Sequence, residues 1–197
     1  MRAGDELINP VTGERILVRR GSGDGGRTLL AELTLPPGSP PVGQHRHRHH
    51  TETLVVLSGR IAARIAGRQR EAGPGARLVV QPRVWHDWWN AGDADARVLL
   101  DARPGIGFEE LLATLFGLAR DGRTDAQGRP GLLQSAILGM EYRDVIELRS
   151  PPPVVQRALM APFAVLGRAL GLRGYYDEYL EPAAFASSDG AVRGGRG

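Results

Sequence analysis

The chain changes its periodicity once, near Pro104, and that change limits the folds open to it. Before Pro104, short runs rich in Val, Ile, Leu and Thr alternate with Gly- and Pro-bearing turn signals, and no uninterrupted stretch reaches convincing helix length. The best strand candidates are 29–35, 54–57, 61–66, 77–80, 84–89 and 97–101. Between them fall the proline-rich segment 36–41, Ser58-Gly59, Ala66-Gly67, Gly73-Pro74-Gly75 and the segment 90–93. Strands punctuated by turns at intervals of roughly 8–12 residues predict an all-β sandwich or barrel. After Pro104 the spacing becomes helical, with Phe108, Leu111, Leu112, Leu115 and Leu118 on one stripe of a segment ending near Arg120. A loop over 121–130 leads to a second helix from Leu132 to about Asp144. A third runs from Pro153 to about Leu170 after the extended Pro151-Pro152 pair, and Pro162 is expected to kink it. The expected organisation is a β domain over 1–104, a helical extension over 105–180 and a disordered tail over 181–197.

The length of 197 residues, 42% of them hydrophobic, allows one domain or a domain with an extension. Cysteine is absent, which excludes disulfides, thiol nucleophiles and cysteine-ligated metals. All 25 basic residues are arginine, so Schiff-base chemistry, a lysine general base and a phosphate-binding P-loop are excluded too, since each needs an ε-amino group. Chemistry is left to histidine, carboxylate, hydroxyl, aromatic and metal. The pI of about 9.9 goes with a formal charge of only +3. The high pI therefore reflects arginine's resistance to deprotonation more than a strong positive field, and no nucleic-acid partner is expected. Residues 1–6 carry no apolar h-region, and the apolar stretch 154–172 is interrupted by Gln156, Arg157 and Arg168. Neither a signal peptide nor a membrane partner is expected, and the expected location is the cytoplasm.

Four of the five histidines fall within six residues, His45-Arg46-His47-Arg48-His49-His50, followed by Thr51 and Glu52. On a strand, His45 and His47 project to one side at a separation suited to neighbouring coordination positions. A tight connection over 49–51 folds the Glu52 carboxylate back over the same face. The fifth histidine, His86, sits in the strand 84–89, and a closed barrel is the natural way to bring it to the same point. Three imidazoles and a carboxylate leave one or two positions open on a five- or six-coordinate ion. The plain alternatives are that 45–50 is a solvated His/Arg tract and that His86 is a hydrogen-bonded, half-buried histidine.

Gly43, His45, His47, Glu52 and Gly59 resemble the first motif of the cupin superfamily, and Gly75, His86 and Asn90 resemble the second. Gly43 lies closer to the first histidine than in the usual form. Gln81 stands where the family usually has proline, and Arg83 where it usually has the glycine of the turn before the histidine. The resemblance covers roughly residues 25–103 and extends to arginine-rich cupins with a helical C-terminal extension. It implies a mainly β fold, a double-sheet cupin jelly-roll barrel followed by an α-helical C-terminal extension. It also implies a divalent transition metal (Fe, Mn, Ni, Zn or Cu) on His45, His47, Glu52 and His86. His49 and His50 are placed in an exposed connection. Because arginine does not adopt glycine's positive φ freely, the turn before His86 is expected to differ in shape from the family's.

All three tryptophans, Trp85, Trp88 and Trp89, surround His86. By alternation Trp88 and Asn90 share its face, whereas Trp85, Asp87 and Trp89 point the other way, where Trp85 and Trp89 read as core or dimer-interface aromatics. Trp88, Asn90 and Val56, the last on the parity of Glu52, are the candidate substrate-binding residues. Arg60 and Arg64 read as a wet outer face, so the expected partner at the site is a small, partly apolar organic molecule. The leading expectation is a metal-dependent enzyme, dioxygenase-type oxidoreductase chemistry first, in which Glu52 doubles as the catalytic proton acceptor. Metal-dependent isomerase or lyase chemistry, and a non-catalytic small-molecule binding or sensing protein, are the alternatives. A homodimer is expected, with the extension either capping the barrel or forming the interface.

Overall fold

The computed structural model describes residues 1–25 and 27–180; the tail expected over 181–197 lies outside the described residues. Eleven strands form two antiparallel sheets among these residues. One sheet has the order β1-β2-β3-β10-β5-β8, built from β1 (Glu6–Ile8), β2 (Arg15–Arg20), β3 (Leu29–Leu35), β10 (Ala96–Arg103), β5 (Thr51–Ser58) and β8 (Arg77–Val80). The other has the order β11-β4-β9-β6-β7, built from β11 (Glu147–Leu148), β4 (His45–Arg46), β9 (His86–Asn90), β6 (Ile61–Ile65) and β7 (Arg68–Ala72). Three helices follow the barrel strands: α1 (Phe108–Arg120), α2 (Leu132–Glu141) and α3 (Pro153–Ala169). This is the mainly β, double-sheet architecture with a helical C-terminal part that the sequence predicts.

Alternation sets the inner face. On β10, Ala96, Val98, Leu100 and Ala102 are buried, and on β5 it is Glu52, Leu54 and Val56. Of these, Leu54, Val56, Ala96, Val98 and Leu100 meet Ile61 and Ala63 of the facing sheet in the barrel core. The expected strands recur with shifted ends. The expected start of β9 at Val84 gives way to His86, because the preceding turn takes Arg83 to φ 67° and interrupts the extended backbone. β1, β2 and β7 lie outside the sequence prediction. Four of the five residues of β7 are exposed, so it presents no apolar alternation to read. What makes it a strand is the two-residue link Ala66-Gly67, both at positive φ, which turns β6 back on itself with the twist a hairpin needs. The charged β7 then forms an edge that discourages further pairing.

The division at 104/105 is one of chain order, not of packing. A single cluster joins Ile16, Val18, Leu29, Ala31 and Ala102 of the first sheet to Leu111, Phe116 and Leu118 of α1, Leu138 of α2, and Tyr142, Val145, Tyr176 and Tyr179. The helical part therefore covers the barrel. α2 in turn packs on α3 through Ala136, Ile137 and Ala164. α2 ends at Glu141, short of the predicted Asp144, and Pro162 lies inside α3. Among the described residues no helix is long and apolar enough to cross a membrane.

One contact shows how tightly the C-terminal segment is seated. A methyl group added at Gly117 of α1 would lie 2.2 Å from the ring of Tyr179, whereas one added at Gly139 of α2 meets nothing within 4 Å. Gly117→Ala should lower stability by about 1–3 kcal/mol through overpacking, and Gly139→Ala should raise it by up to about 1 kcal/mol through helix propensity. Thermal melting of both variants checks the pair; a Gly117→Ala protein as stable as the parent would show that Tyr179 does not dock there.

Candidate metal centre

The site is assembled by register. β4 pairs with β9 so that His45 lies opposite His86, with ring centroids 4.2 Å apart. His47, one residue beyond the end of β4, lies 5.1 Å from each of those two rings. Glu52 comes from the other sheet, on β5 between Val80 and Ala102, and its inward parity aims the carboxylate at the three imidazoles. One ligand atom from each of His45, His47, Glu52 and His86 lies within 4.8 Å of all the others. All four residues are buried, with exposures of 1–5%.

The hydrogen bonds around the imidazoles decide which nitrogen faces inward. Nδ1–H of His45 donates to the Gly43 carbonyl at 2.8 Å, that of His47 to the Val145 carbonyl at 2.7 Å, and that of His86 to the Val84 carbonyl at 3.1 Å. A carbonyl only accepts, so Nδ1 carries the proton in each ring and the Nε2 lone pair is left for another partner. His47 Nε2, His86 Nε2 and Glu52 Oε2 have no hydrogen-bond partner although all are buried. The Oε2 atom approaches His86 Nε2 to 2.8 Å and His47 Nε2 to 3.7 Å without hydrogen-bond alignment. Buried lone pairs converging on one point are costly unless a cation satisfies them, so this donor set fits a metal ion.

The electrostatics agree. Burial, with His86 adding to it, holds the His45 imidazole down at about 3, so it is neutral and ligand-ready at ordinary pH. Burial alone would push the Glu52 carboxyl up, but His47 and His86 outweigh it and hold the group below the usual carboxylate range. At His86 the order reverses: burial lowers the imidazole, and Glu52 outweighs burial and raises it. The carboxylate is thus an anion within the barrel and calls for positive charge from a proton or an ion.

The structure brings together all four residues expected to ligate. It corrects the placement of His50, expected in an exposed connection with His49. His49 is exposed, but His50 is 4% exposed, 5.8 Å from the His47 ring and 6.0 Å from that of Phe108. The parity that points Glu52, Leu54 and Val56 inward, continued one step back, would have placed it. Val56 belongs to the barrel core, and Trp88 is half-buried against the same cluster. Asn90 departs from its expected role as a substrate contact. Its Nδ2 donates to the Leu35 carbonyl at 2.8 Å and the Ala94 carbonyl at 2.9 Å, and its Oδ1 accepts from the Gly92 N–H, so the amide clasps two loops. Trp85 and Trp89 face outward as predicted. They lie under arginines instead of in a core, with Arg46 at 4.5 Å and Arg149 at 5.9 Å from Trp85, and Arg64 at 5.8 Å from Trp89.

The turn before His86 keeps the left-handed shape that arginine was expected to prevent. Arg83 takes φ 67°, and its N–H donates to the His47 carbonyl at 2.7 Å, which ties the two halves of the site together. Replacing Arg83 by glycine removes a left-handed penalty of about 1–2 kcal/mol against an entropic cost of about 0.5–1 kcal/mol. Arg83→Gly should therefore melt slightly higher with unchanged metal content, and a lower melting temperature would mean the arginine side chain stabilises the turn.

The helical part reaches the centre through Val145. Two residues on, Glu147 of β11 accepts from Arg46 Nε at 2.8 Å and Arg48 Nη2 at 2.9 Å, clamping β11 to β4. Burial raises the Glu147 carboxyl, but Arg48 and Arg46 outweigh it and lower the group from its ordinary value. The stability this clamp contributes is present above the ordinary carboxylate range and is lost as pH falls through the lowered value. Glu147→Gln should cost about 1.5–3 kcal/mol at neutral pH, with the gap to the parent closing in acid. Denaturant titrations at the two pH values check it, and a gap independent of pH would refute the clamp.

Comparison with known proteins agrees with this architecture. Residues 31–101 match the family model described as the cupin domain. No curated protein matches the sequence. Among solved structures, the chain is similar to a predicted oxalate decarboxylase from Thermotoga maritima (23% identity, TM-score 0.42, covering 45% of this chain and 78% of that one). It is similar also to KdgF from Halomonas sp. (17% identity, TM-score 0.42, covering 47% and 79%). A third likeness is to the polyketide cyclase RemF from Streptomyces resistomycificus (23% identity, TM-score 0.41, covering 45% and 63%).

Proposed function

We propose that the protein holds one divalent transition-metal ion on His45, His47, Glu52 and His86 and uses it on a small, weakly polar organic molecule, with dioxygenase-type oxidation as the leading reaction class. The observation that carries this reading is the orientation of the imidazoles: all three spend Nδ1–H on a carbonyl, and His47 and His86 turn Nε2 toward the Glu52 carboxylate. When bound, such an ion supplies Lewis acidity and open positions for a substrate oxygen or dioxygen, and a donor set of nitrogen and oxygen suits Fe(II), Mn(II), Ni(II), Cu(II) or Zn(II).

The chain's own residues set what can bind. Leu54, Val56 and Leu100 line the barrel with apolar surface, and Trp88 and Phe108 pack against them. No arginine is buried among the described residues, so nothing inside the barrel neutralises a phosphate or a second carboxylate. Phe108 stands 5.3 Å from the His47 ring and excludes water from that side. Glu52 is the group proposed to accept a proton from the substrate, being the one carboxylate in the cluster.

A second reading, a non-catalytic binding or sensing protein, is favoured by the depth of burial, since a closed coordination shell is the mark of structural metal sites. Elemental analysis should find close to one ion per chain in the parent and near none in His86→Ala; equal, near-zero metal in both would sink the site. Cobalt(II) substitution then separates the readings. A weak visible spectrum altered by azide signifies open positions and an enzyme-type centre. An intense tetrahedral spectrum indifferent to azide signifies the closed one.

A further inference from the structure

The third helix presents an apolar face that the described residues leave uncovered. α3 is seated on α2 by Ala164 and Gly167, and Pro153, Gln156, Arg157 and Met160 line the groove toward α1 and β11. On the opposite side Val155, Leu159, Pro162, Phe163, Leu166 and Leu170 point outward, with Leu159 53%, Leu166 50% and Leu170 66% exposed. At the helical period these six fall within a sector of roughly 100°. A stripe of this size on a lone chain marks an interaction surface.

The order of residues along the stripe says what fits it. Val155 and Leu170, Leu159 and Leu166, and Pro162 and Phe163 are three pairs, each placed symmetrically about the midpoint between Pro162 and Phe163. An isologous interface demands this arrangement, because a two-fold axis through that midpoint brings each member of a pair against the other member on the partner. The flanking Ala158 and Ala169 are small enough to let two helices approach closely. The charges on the helix are already matched within the chain: Arg168 bonds Glu141 at 2.9 Å and Arg157 faces Glu147 at 3.6 Å. That leaves the outer face neutral and without the basic flank a lipid-surface helix uses.

We propose that α3 is the interface of a homodimer in which it packs antiparallel against α3 of a second copy, with the two-fold axis passing between Pro162 and Phe163. The barrels and their metal centres then lie on the outside of the pair.

Sedimentation of the full chain over a micromolar concentration series, with circular dichroism and metal content as controls, tests this. The parent should sediment as a dimer. Leu159→Glu with Leu166→Glu, placing like charges on the seam, should weaken dimerisation by about a hundredfold or more with dichroism and metal content unchanged. The absence of native cysteine gives a second test that does not depend on that variant folding. Phe163→Cys should form a covalent dimer on mild oxidation or with a short bismaleimide, and the equally cysteine-bearing Val42→Cys, on an exposed loop, should not. A parent that stays monomeric overturns the proposal. Should that monomer cosediment with phosphatidylglycerol vesicles, the face is a lipid contact; should it ignore them, another segment such as 181–197 is the remaining occupant to test. Cross-linking at position 163 no faster than at position 42 overturns it as well.

Discussion

A carboxylate and three imidazoles buried in an apolar barrel repel the interior they sit in, and much of the rest of this structure follows from how that cost is met. Glu52 cannot remain an unpaired anion among Leu54, Val56 and Leu100, and the buried Nε2 atoms of His47 and His86 cannot remain unpaired either. A cation at the shared point satisfies both demands at once. The backbone carbonyls of Gly43, Val84 and Val145 complete the arrangement from outside by fixing each ring's tautomer and orientation.

Val145 makes the helical part of the chain a component of the centre. Its carbonyl lies 98 residues from the histidine it holds, and it is delivered there by β11 pairing with β4 and by the Glu147 clamp on Arg46 and Arg48. Phe108, at the start of α1, closes the same side against water. The segment from Phe108 to Val145 therefore caps the barrel beside the histidine and glutamate cluster, while α3 lies one layer farther out, packed on α2 with apolar side chains exposed.

How far the sequence could be read depended on whether local pattern or distant packing decided each feature. The Leu29–Leu35 strand and the helix ending at Arg120 follow from their own periodicities and recur within the expected bounds, although α1 buries Phe116 as well as Leu111 and Leu118 of the expected stripe. β7 was invisible, because a run of arginine, glutamine and glutamate becomes a strand only through the Ala66-Gly67 hairpin that holds it to β6. The cluster of His45, His47, Glu52 and His86 was legible as spacing. The burial of His50 was not, although the parity of β5 carries the signal, because β5 begins at Thr51, ahead of its first apolar residue Leu54. Arg83 shows the opposite limit: its left-handed turn persists against residue preference because the bond to the His47 carbonyl over-determines it.

The amino-acid sequence by itself determined the class of fold, the choice of donor atoms and the chemistry denied to the chain, since these depend on residue type and on spacings of a few residues. Only the tertiary structure decided which nitrogen of each imidazole is held by a backbone carbonyl, that the Asn90 amide clasps the carbonyls of Leu35 and Ala94, and that Val145 reaches His47. Those outcomes rest on hydrogen bonds between residues tens of positions apart, whose partners are fixed by strand register and layer packing and leave no periodic trace in the chain.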